Sequence, residues 1–480
     1  MKLKNLYITV FAFSTLAVLL ITVNGCKKAI DVGPSIVNAN SSNAFTSNSS
    51  AQSTVAGIYS YLSAGSFFQG SNSVSLGMGL AADELKTTSS GSQSLGLLYS
   101  NSYSAVSPPS FWSEFYKEIF FCNTTIKGIS ESGQITPSVK NQLVSELKFF
   151  RGFIYFYAVN LYGTPPLTTT DDYQNNNTLS NSTAATVYAQ ILQDLNDAKA
   201  GLPDNIYVDA SGAAVTDRVR PNKQVAAAML ARVYLYLQNW RSAENEASEL
   251  IGNSRYTLVK DLNQVFLKGS TEIIFALQPV SKTYLNTIDA NFLVVSASYA
   301  LTTQLALNNQ LVSAFEQKDQ RRSKWIGTFT TTTNPVTTFS FANKYKVSSL
   351  SSTVAVTEYP IAMRLAEQYL IRAEARAQQS NLSGAKDDLN AIRDRAGLDP
   401  TLASGQTELL NAILQERRLE LFTEWGHRWL DLKRSNNLDN VMSIAVPLKG
   451  GSWMPYKAIL PIPPSDILAN PNLKQNPGYN

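Results

Sequence analysis

Apolar residues recur at helical spacing over most of the chain. The pattern predicts helices near 46–63, 110–130, 137–162, 184–201, 222–238, 241–252, 302–317, 360–380, 383–396 and 406–434. Two carry clear stop signals. Gly163 follows Leu161-Tyr162 and precedes Pro165-Pro166, and Gly397 follows Arg395-Ala396 with Leu398 behind it. A period of two is rare. Glu272 to Leu277 reads as a short strand, and Phe292 to Ser298 and Phe339 to Val347 as further strand or extended pieces. The N-terminus has a pattern of its own. Lys2 and Lys4 precede an apolar run from Leu6 to Val23, which stops at Asn24-Gly25-Cys26.

Two helical stretches look like one repeated unit. Ala231-Arg232-Val233-Tyr234-Leu235 is followed by Trp240 and Ala243, and Ala373-Glu374-Ala375-Arg376 by Leu382 and Ala385. Small residues at that offset let two antiparallel helices approach closely, as in tetratricopeptide repeats. Residues 149–162 with 184–202 read as a third copy, split by an insert at 163–183. The fold class is therefore mainly α: a helical repeat scaffold at about 137–252 and 360–434. Residues 64–109 and 253–359 are rich in Ser, Thr, Asn, Gly and aromatics. They read as long irregular insertions with small β-elements, the kind of loop that carries binding residues on a rigid support.

The order of basic residues, apolar run, small residue and Cys26 is that of an export signal, 1–25, with Cys26 as the lipidation site. Asn24 is an unusual neighbour for such a Cys, and the competing reading is an uncleaved membrane anchor. Residues 26–50 then form a lipid anchor and flexible spacer, and 51–480 the working domain. The 480 residues hold 40 Lys and Arg against 36 Asp and Glu, a near balance without the basic footprint of a nucleic-acid binder. Only one histidine, His427, and two cysteines occur. This excludes zinc sites built on several histidines and disfavours His-based triads. No metal and no cofactor is expected. Cys122 reads as a buried, inert thiol.

Several segments resemble the SusD/RagB family of outer-membrane nutrient-binding lipoproteins. Ala56-Gly57-Ile58-Tyr59 resembles the family's first helix. Glu146 to Arg151, with Tyr162-Gly163-Thr164-Pro165-Pro166-Leu167, is similar to its "E-x-x-x-x-R … Y-G-x-x-P" segment. Arg364 to Ala375 is similar to "R-x-x-E-x-Y-L-x-x-A-E", and Asn390 to Gly397 to "N-x-I-R-x-R-A-G". Glu416 to Leu421 with Glu424, Gly426, Arg428, Trp429, Asp431 and Arg434 is similar to "E-R-x-x-E-L … E-G-x-R-W-x-D-x-x-R", with Trp425 a departure. Leu460-Pro461-Ile462-Pro463 and Asn470 to Tyr479 resemble the family's ending. The resemblance implies about four helix pairs and a lid-like role over a SusC-like TonB-dependent transporter. It also implies an oligosaccharide or polysaccharide ligand, and an outer-membrane lipid anchor with the domain facing outside.

Two sets of residues compete for function. Glu416, Glu420, Glu424, Arg428 and Asp431 fall at helical spacing on the predicted 406–434 helix and are the tempting carboxylates for a glycosidase. They read better as ion pairs, Glu424 with Arg428 and Arg428 with Asp431, joined by Arg364, Glu367, Arg372 and Arg393. No catalytic residue is expected. Ligand recognition is assigned instead to residues in polar loops: Asp83, Tyr99, Asn101, Tyr103, Tyr284, Asn286, Tyr299 and Trp325. An aromatic ring there can cover the C–H face of a sugar while polar neighbours take its hydroxyls. The expectation is a non-enzymatic, cell-surface glycan binder. The alternatives are a carboxylate-pair glycoside hydrolase and a repeat scaffold that binds only protein or peptide.

Overall fold

The computed structural model describes residues 43–64, 67–88, 93–209, 211–280, 285–295, 304–332, 335–348 and 354–479. Cys26, Tyr284 and Tyr299 lie outside the described residues. The first half runs α1 (Asn48–Ser63), α2 (Val74–Ala81), β1 (Leu85–Thr87), α3 (Gln93–Tyr99), α4 (Phe111–Glu131), α5 (Pro137–Tyr162), α6 (Tyr173–Asn176), α7 (Ala184–Gly201), β2 (Tyr207–Val208), β3 (Ala214–Val215), α8 (Lys223–Tyr236) and α9 (Trp240–Ile251). A loop-rich stretch holds β4 (Ile273–Ala276), α10 (Asp289–Leu293), β5 (Leu305–Leu307), α11 (Asn309–Ser313), α12 (Gln320–Lys324), β6 (Ile326–Thr330), β7 (Thr338–Ala342) and β8 (Ile361–Arg364). The chain ends with α13 (Leu365–Gln378), α14 (Leu382–Arg395), α15 (Gln406–Glu420), α16 (His427–Arg434), α17 (Leu438–Leu448) and α18 (Pro464–Ala469).

The long helices stack as neighbours in the order α4, α5, α7, α8, α9, α13, α14, α15. This is the expected repeat scaffold. Its alanines do what their spacing implies: Ala231, Ala243, Ala247 and Ala375 form one small cluster, and Ala373, Ala385, Leu389 and Leu409 another. A short side chain at each contact lets the axes close up. Side-chain caps fix where the helices begin: Thr183, Asn222, Asn239 and Asn381 each accept a hydrogen bond from the backbone of the first turn. Gly397 closes α14 with a φ of 77°, its own N–H bonding Asp394 and that of Leu398 bonding Arg393. That is the left-handed Schellman end read from the sequence.

The main core gathers around α5, where Phe149, Phe150, Phe153, Tyr155, Phe156 and Tyr157 are all buried, as expected. The C-terminal segment is sewn onto the end of this helix. Leu460 N–H bonds the Leu161 carbonyl at 2.7 Å, and the Asn476 amide donates to the carbonyls of Tyr162 (2.9 Å) and Leu460 (2.7 Å).

Four expectations for the elements are corrected. The predicted helix 302–317 contains strand β5, which pairs with β1 through Leu85–Leu307, before Asn308 caps the short α11. Residues 361–364 at the start of the predicted 360–380 helix are strand β8, paired with β4. In both places a partner strand overrides helical spacing. Phe292 belongs to α10 and not to an extended piece. The predicted 406–434 helix is broken between α15 and α16, where Thr423, Trp425 and Gly426 take φ values of 57°, 49° and 67°. The backbone N–H groups released there find tertiary partners: Thr423 bonds Glu84 and Trp425 bonds Ser75. The Trp425 indole turns into the core and donates to the Ile361 carbonyl at 2.7 Å.

Candidate functional site

The carboxylates of the broken 406–434 region form a buried ion-pair network. Glu424 is gripped by Arg364 at 2.7 Å and Lys344 at 2.5 Å. Arg364 reaches on to Glu272 (2.8 Å) and Glu420 (2.6 Å). Arg395 contacts the same two carboxylates, and Arg321 bridges Glu416 (2.6 Å), Glu420 (2.9 Å) and Asp319 (2.7 Å). Burial raises the Glu420 and Glu424 carboxyls, but the surrounding cations outweigh it and hold both below the usual range. A general acid needs a raised pKa beside a substrate; Glu416 is raised by burial, but it is enclosed and paired with Arg321 and Arg393. The ion-pair reading is right in kind and right that Arg364 and Arg393 join the cluster, on Glu424 and Glu416, but wrong in the pairs Glu424–Arg428 and Arg428–Asp431. Arg428 pairs with Asp83 at 2.7 Å, and Asp431 with Arg417 and Arg434, because the turn at 421–426 separates Glu424 from Arg428. Glu367 pairs with Arg232, Arg372 with Asp388, and Arg393 with Glu316 and Glu416. His427 is buried among arginines, and burial, then Arg232 and Arg417, push its pKa down so that it stays neutral.

The loop residues expected to meet a ligand divide. Trp325 is 0% exposed. Its indole donates to the Leu262 carbonyl at 2.9 Å and packs edge-on against Phe266. Asn286 is buried and accepts from the backbone of Thr357 and Glu358. Asp83 is buried, held by Arg418 and Arg428; burial raises its carboxyl and these two cations more than reverse that. Asn101 is buried in a left-handed turn, φ 51°, and donates to the Ala81 carbonyl. These four are buried with no face open to a solute, so their assignment to a ligand is corrected; Asn101 alone keeps a side-chain oxygen without a hydrogen-bond partner. Tyr99 and Tyr103 remain. Tyr99 is half-buried at the end of α3. The Tyr103 hydroxyl is spent on the Lys457 carbonyl at 2.7 Å, but its ring lines a cleft.

That cleft, of about 350 Å³, lies where the 64–109 insertion meets the start of α4. Ser71 and Asn72 stand on one side, Ser94, Leu95 and Leu98 of α3 on another, and Ser107 to Phe111 on the third. Asn72 and Ser94 are exposed, whereas Leu95, Leu98 and Phe111 are core residues that fix the floor. None of the residues lining it is charged. Hydroxyls, one amide and flat apolar walls can hold a neutral, hydroxyl-rich solute by hydrogen bonds and stacking, and provide nothing for covalent chemistry. Ser71, Asn72 and Ser94 were not singled out from the sequence, because small polar residues in such a stretch look alike.

Two family models match the chain: the SusD family over residues 330–479, and a family described as starch-binding, associating with outer membrane, over 37–235. A SusD-like protein, P2, of Formosa agariphila is 28% identical over 422 residues, covering 77% of this chain and 80% of that one. Among solved structures, a SusD superfamily protein from Bacteroides vulgatus superposes with a TM-score of 0.78 at 21% identity, over 91% of this chain and all of the other (100%). A laminarin-binding SusD-like protein superposes with a TM-score of 0.75 at 23% identity, over 91% of this chain and 100% of the other. The scaffold described above is theirs. The chain belongs to the SusD/RagB family, whose members bind carbohydrate and are not enzymes.

Proposed function

We propose that this protein captures a neutral glycan at the outer membrane and hands it to a SusC-like TonB-dependent transporter. The observation that carries the reading is the uncharged cleft beside α3 and α4, whose lining suits sugar hydroxyls and C–H faces and repels neither sign of charge. It is supported by the starch-binding, outer-membrane description of the family model over 37–235 and by a laminarin-binding protein of the same fold. Residues 1–25 serve for export, and a lipid on Cys26 holds the protein by a spacer to residue 50, with the domain of 51–480 facing outside. The ring of Tyr103 borders the ligand in this cleft, and Tyr99, Tyr284 and Tyr299 are proposed as further aromatic contacts.

The test is calorimetric titration of the full-length protein in detergent against starch, laminarin and their trisaccharides. Binding of at least one glycan, weakened several-fold by Asn72→Ala, is the expected result. Binding of peptides with no glycan retained overturns the glycan assignment. Failure of the protein to co-purify with a co-expressed SusC-like barrel overturns the delivery step.

A further inference from the structure

A second cleft, of about 230 Å³, opens on the neighbouring face of α4, between the 163–183 insert and the C-terminal segment. The two clefts adjoin along the chain. The first is lined up to Phe111 and the second begins at Trp112. Consecutive residues of a helix point about 100° apart, so these two side chains look into adjacent faces. We propose that the second cleft is a further saccharide subsite, and that one glycan chain passes over the start of α4 to occupy both.

The lining argues for a sugar. Trp112, Tyr116 and Phe120 stand one turn apart on α4 and form a row of aromatic rings, facing Tyr173 from the insert. Trp112 and Tyr116 are braced: the indole donates to Asp466 at 3.2 Å, the phenol to the Pro166 carbonyl at 2.7 Å, and their rings lie 4.7 Å apart. The outer pair is open to solvent, Phe120 at 42% and Tyr173 at 63% exposure, and these are the two aromatic residues among the exposed large apolar side chains of the described residues. The polar lining is of amides and threonines with one carboxylate, Asp466, and no cation. Rings paired with neutral hydrogen-bonding groups fit the alternating C–H and hydroxyl faces of a pyranose. A peptide would call for deeper aliphatic pockets and partners for its backbone N–H and C=O groups.

The inference rests on the glycan reading of the first cleft, and the experiment separates the two. The full-length protein in detergent is titrated with a trisaccharide and with its polymer, maltotriose with starch and laminaritriose with laminarin. Phe120→Ala/Tyr173→Ala removes only exposed rings, and Asn177→Ala removes an exposed amide without touching them. Two linked sites multiply affinity, so the double variant is expected to bind polymer about ten-fold more weakly while its trisaccharide affinity stays within two-fold or so of wild type. Asn177→Ala shifts polymer binding in the same direction. Wild type that binds trisaccharide and polymer, with both variants unchanged toward the polymer, overturns the second site alone. A variant that loses trisaccharide and polymer binding in equal measure also overturns it. Wild type that retains no glycan overturns both readings. If the variants lose only binding to a casein digest, the cleft takes peptide and the proposal falls.

Discussion

Arg364 is the residue whose removal discriminates best between a structural network and a latent active site. Its guanidinium is buried and donates to Glu424 at 2.7 and 2.9 Å, to Glu272 at 2.8 Å, and to the side chain and carbonyl of Glu420 at 2.6 and 2.7 Å. In Arg364→Met, Glu424 keeps Lys344, Glu272 keeps Arg395, and Glu420 keeps Arg395 and Arg321. The carboxylates stay buried with too little positive charge, and breaking such a buried pair costs about 3–5 kcal/mol. Unfolding entropy of about 2.1 cal/mol/K per residue gives roughly 1 kcal/mol/K for 480 residues, so the midpoint should fall by about 3–5 °C. The assay is a thermal melt by calorimetry, run from pH 7.5 down to pH ~3, past the unfolded carboxyl value of about 4.3. The pH dependence has a definite sign. In wild type the depressed carboxyls of Glu420 and Glu424 contribute stability that is present above their unfolded pKa, about 4.3, and lost as pH falls through the lower folded value. Without Arg364 the folded value of Glu424 rises, so the deficit is largest near neutrality and shrinks as the pH drops. Lys318→Met is the control, since it breaks an exposed 3.1 Å pair with Asp399 and should move the midpoint by less than about 1 °C. An Arg364→Met midpoint as close to wild type as that control, or a deficit independent of pH, refutes the reasoning.

Other outcomes follow from the same structure. Glu84 is buried with one carboxylate oxygen unpartnered, and burial, then Asp83, push its pKa up to about 8. Because the folded value lies above the unfolded one, its contribution is full below about pH 4.3 and is lost as pH rises toward 8, so Glu84→Gln should gain stability over wild type between pH 5 and 8 in melts across that range. Gly426→Ala places a side chain at φ 67° and a Cβ 2.8 Å from that of Met78, and should cost at least about 1–2 kcal/mol in chemical denaturation. Trp325→Ala empties a core position and should cost about 3–5 kcal/mol while leaving glycan affinity of the folded fraction unchanged, which titration at low temperature would check. Glu424→Gln should release no reducing sugar from starch or laminarin, as wild type should release none.

What was legible in the sequence depended on how local its cause was. Helix α5 was read end to end because its turns carry apolar residues at helical spacing and Gly163, followed by Pro165-Pro166, stops it. The repeat was legible because two alanines at a fixed offset already imply close helix contact. Partnership was not. Asp83 and Arg428 stand 345 positions apart, and nothing local to either announces the other. Spacing suggested Glu424 with Arg428 as helix neighbours, and the left-handed turn at Thr423, Trp425 and Gly426 removed the helix that would have joined them. Trp325 misled for a related reason. Its polar neighbours belong to the partly exposed β6–β7 hairpin, while the indole itself is driven beneath that hairpin onto Phe266 and Phe422. Loop composition can mark a surface region, but it cannot tell which ring in the loop is the anchor underneath.

The buried charges also explain how so loop-rich a protein can keep a shaped surface. Glu272 comes from just before β4, Asp319 and Arg321 from the α12 region, Lys344 from just after β7 and Arg364 from β8, all in the irregular stretch between the repeats. Arg395, Glu416, Glu420 and Glu424 come from the repeat scaffold and the turn after it. Asp83 and Glu84 extend the same arrangement to the first insertion, where Asp83 meets Arg418 and Arg428 and Glu84 meets Thr423. Apolar packing alone tolerates sliding, whereas bidentate charge pairs fix position and angle. A network of this kind contributes little net stability against a well-packed apolar alternative, but it is intolerant of rearrangement. It therefore locks the roots of both insertions to the helices, and a binding cleft needs its walls held before the ligand arrives. Arg418→Met, which loosens Asp83 at the root of the first insertion, should on this argument weaken glycan binding more than its loss of stability alone predicts. Titration at a temperature where the variant is fully folded measures it, and unchanged affinity there would show that the cleft keeps its shape without the network.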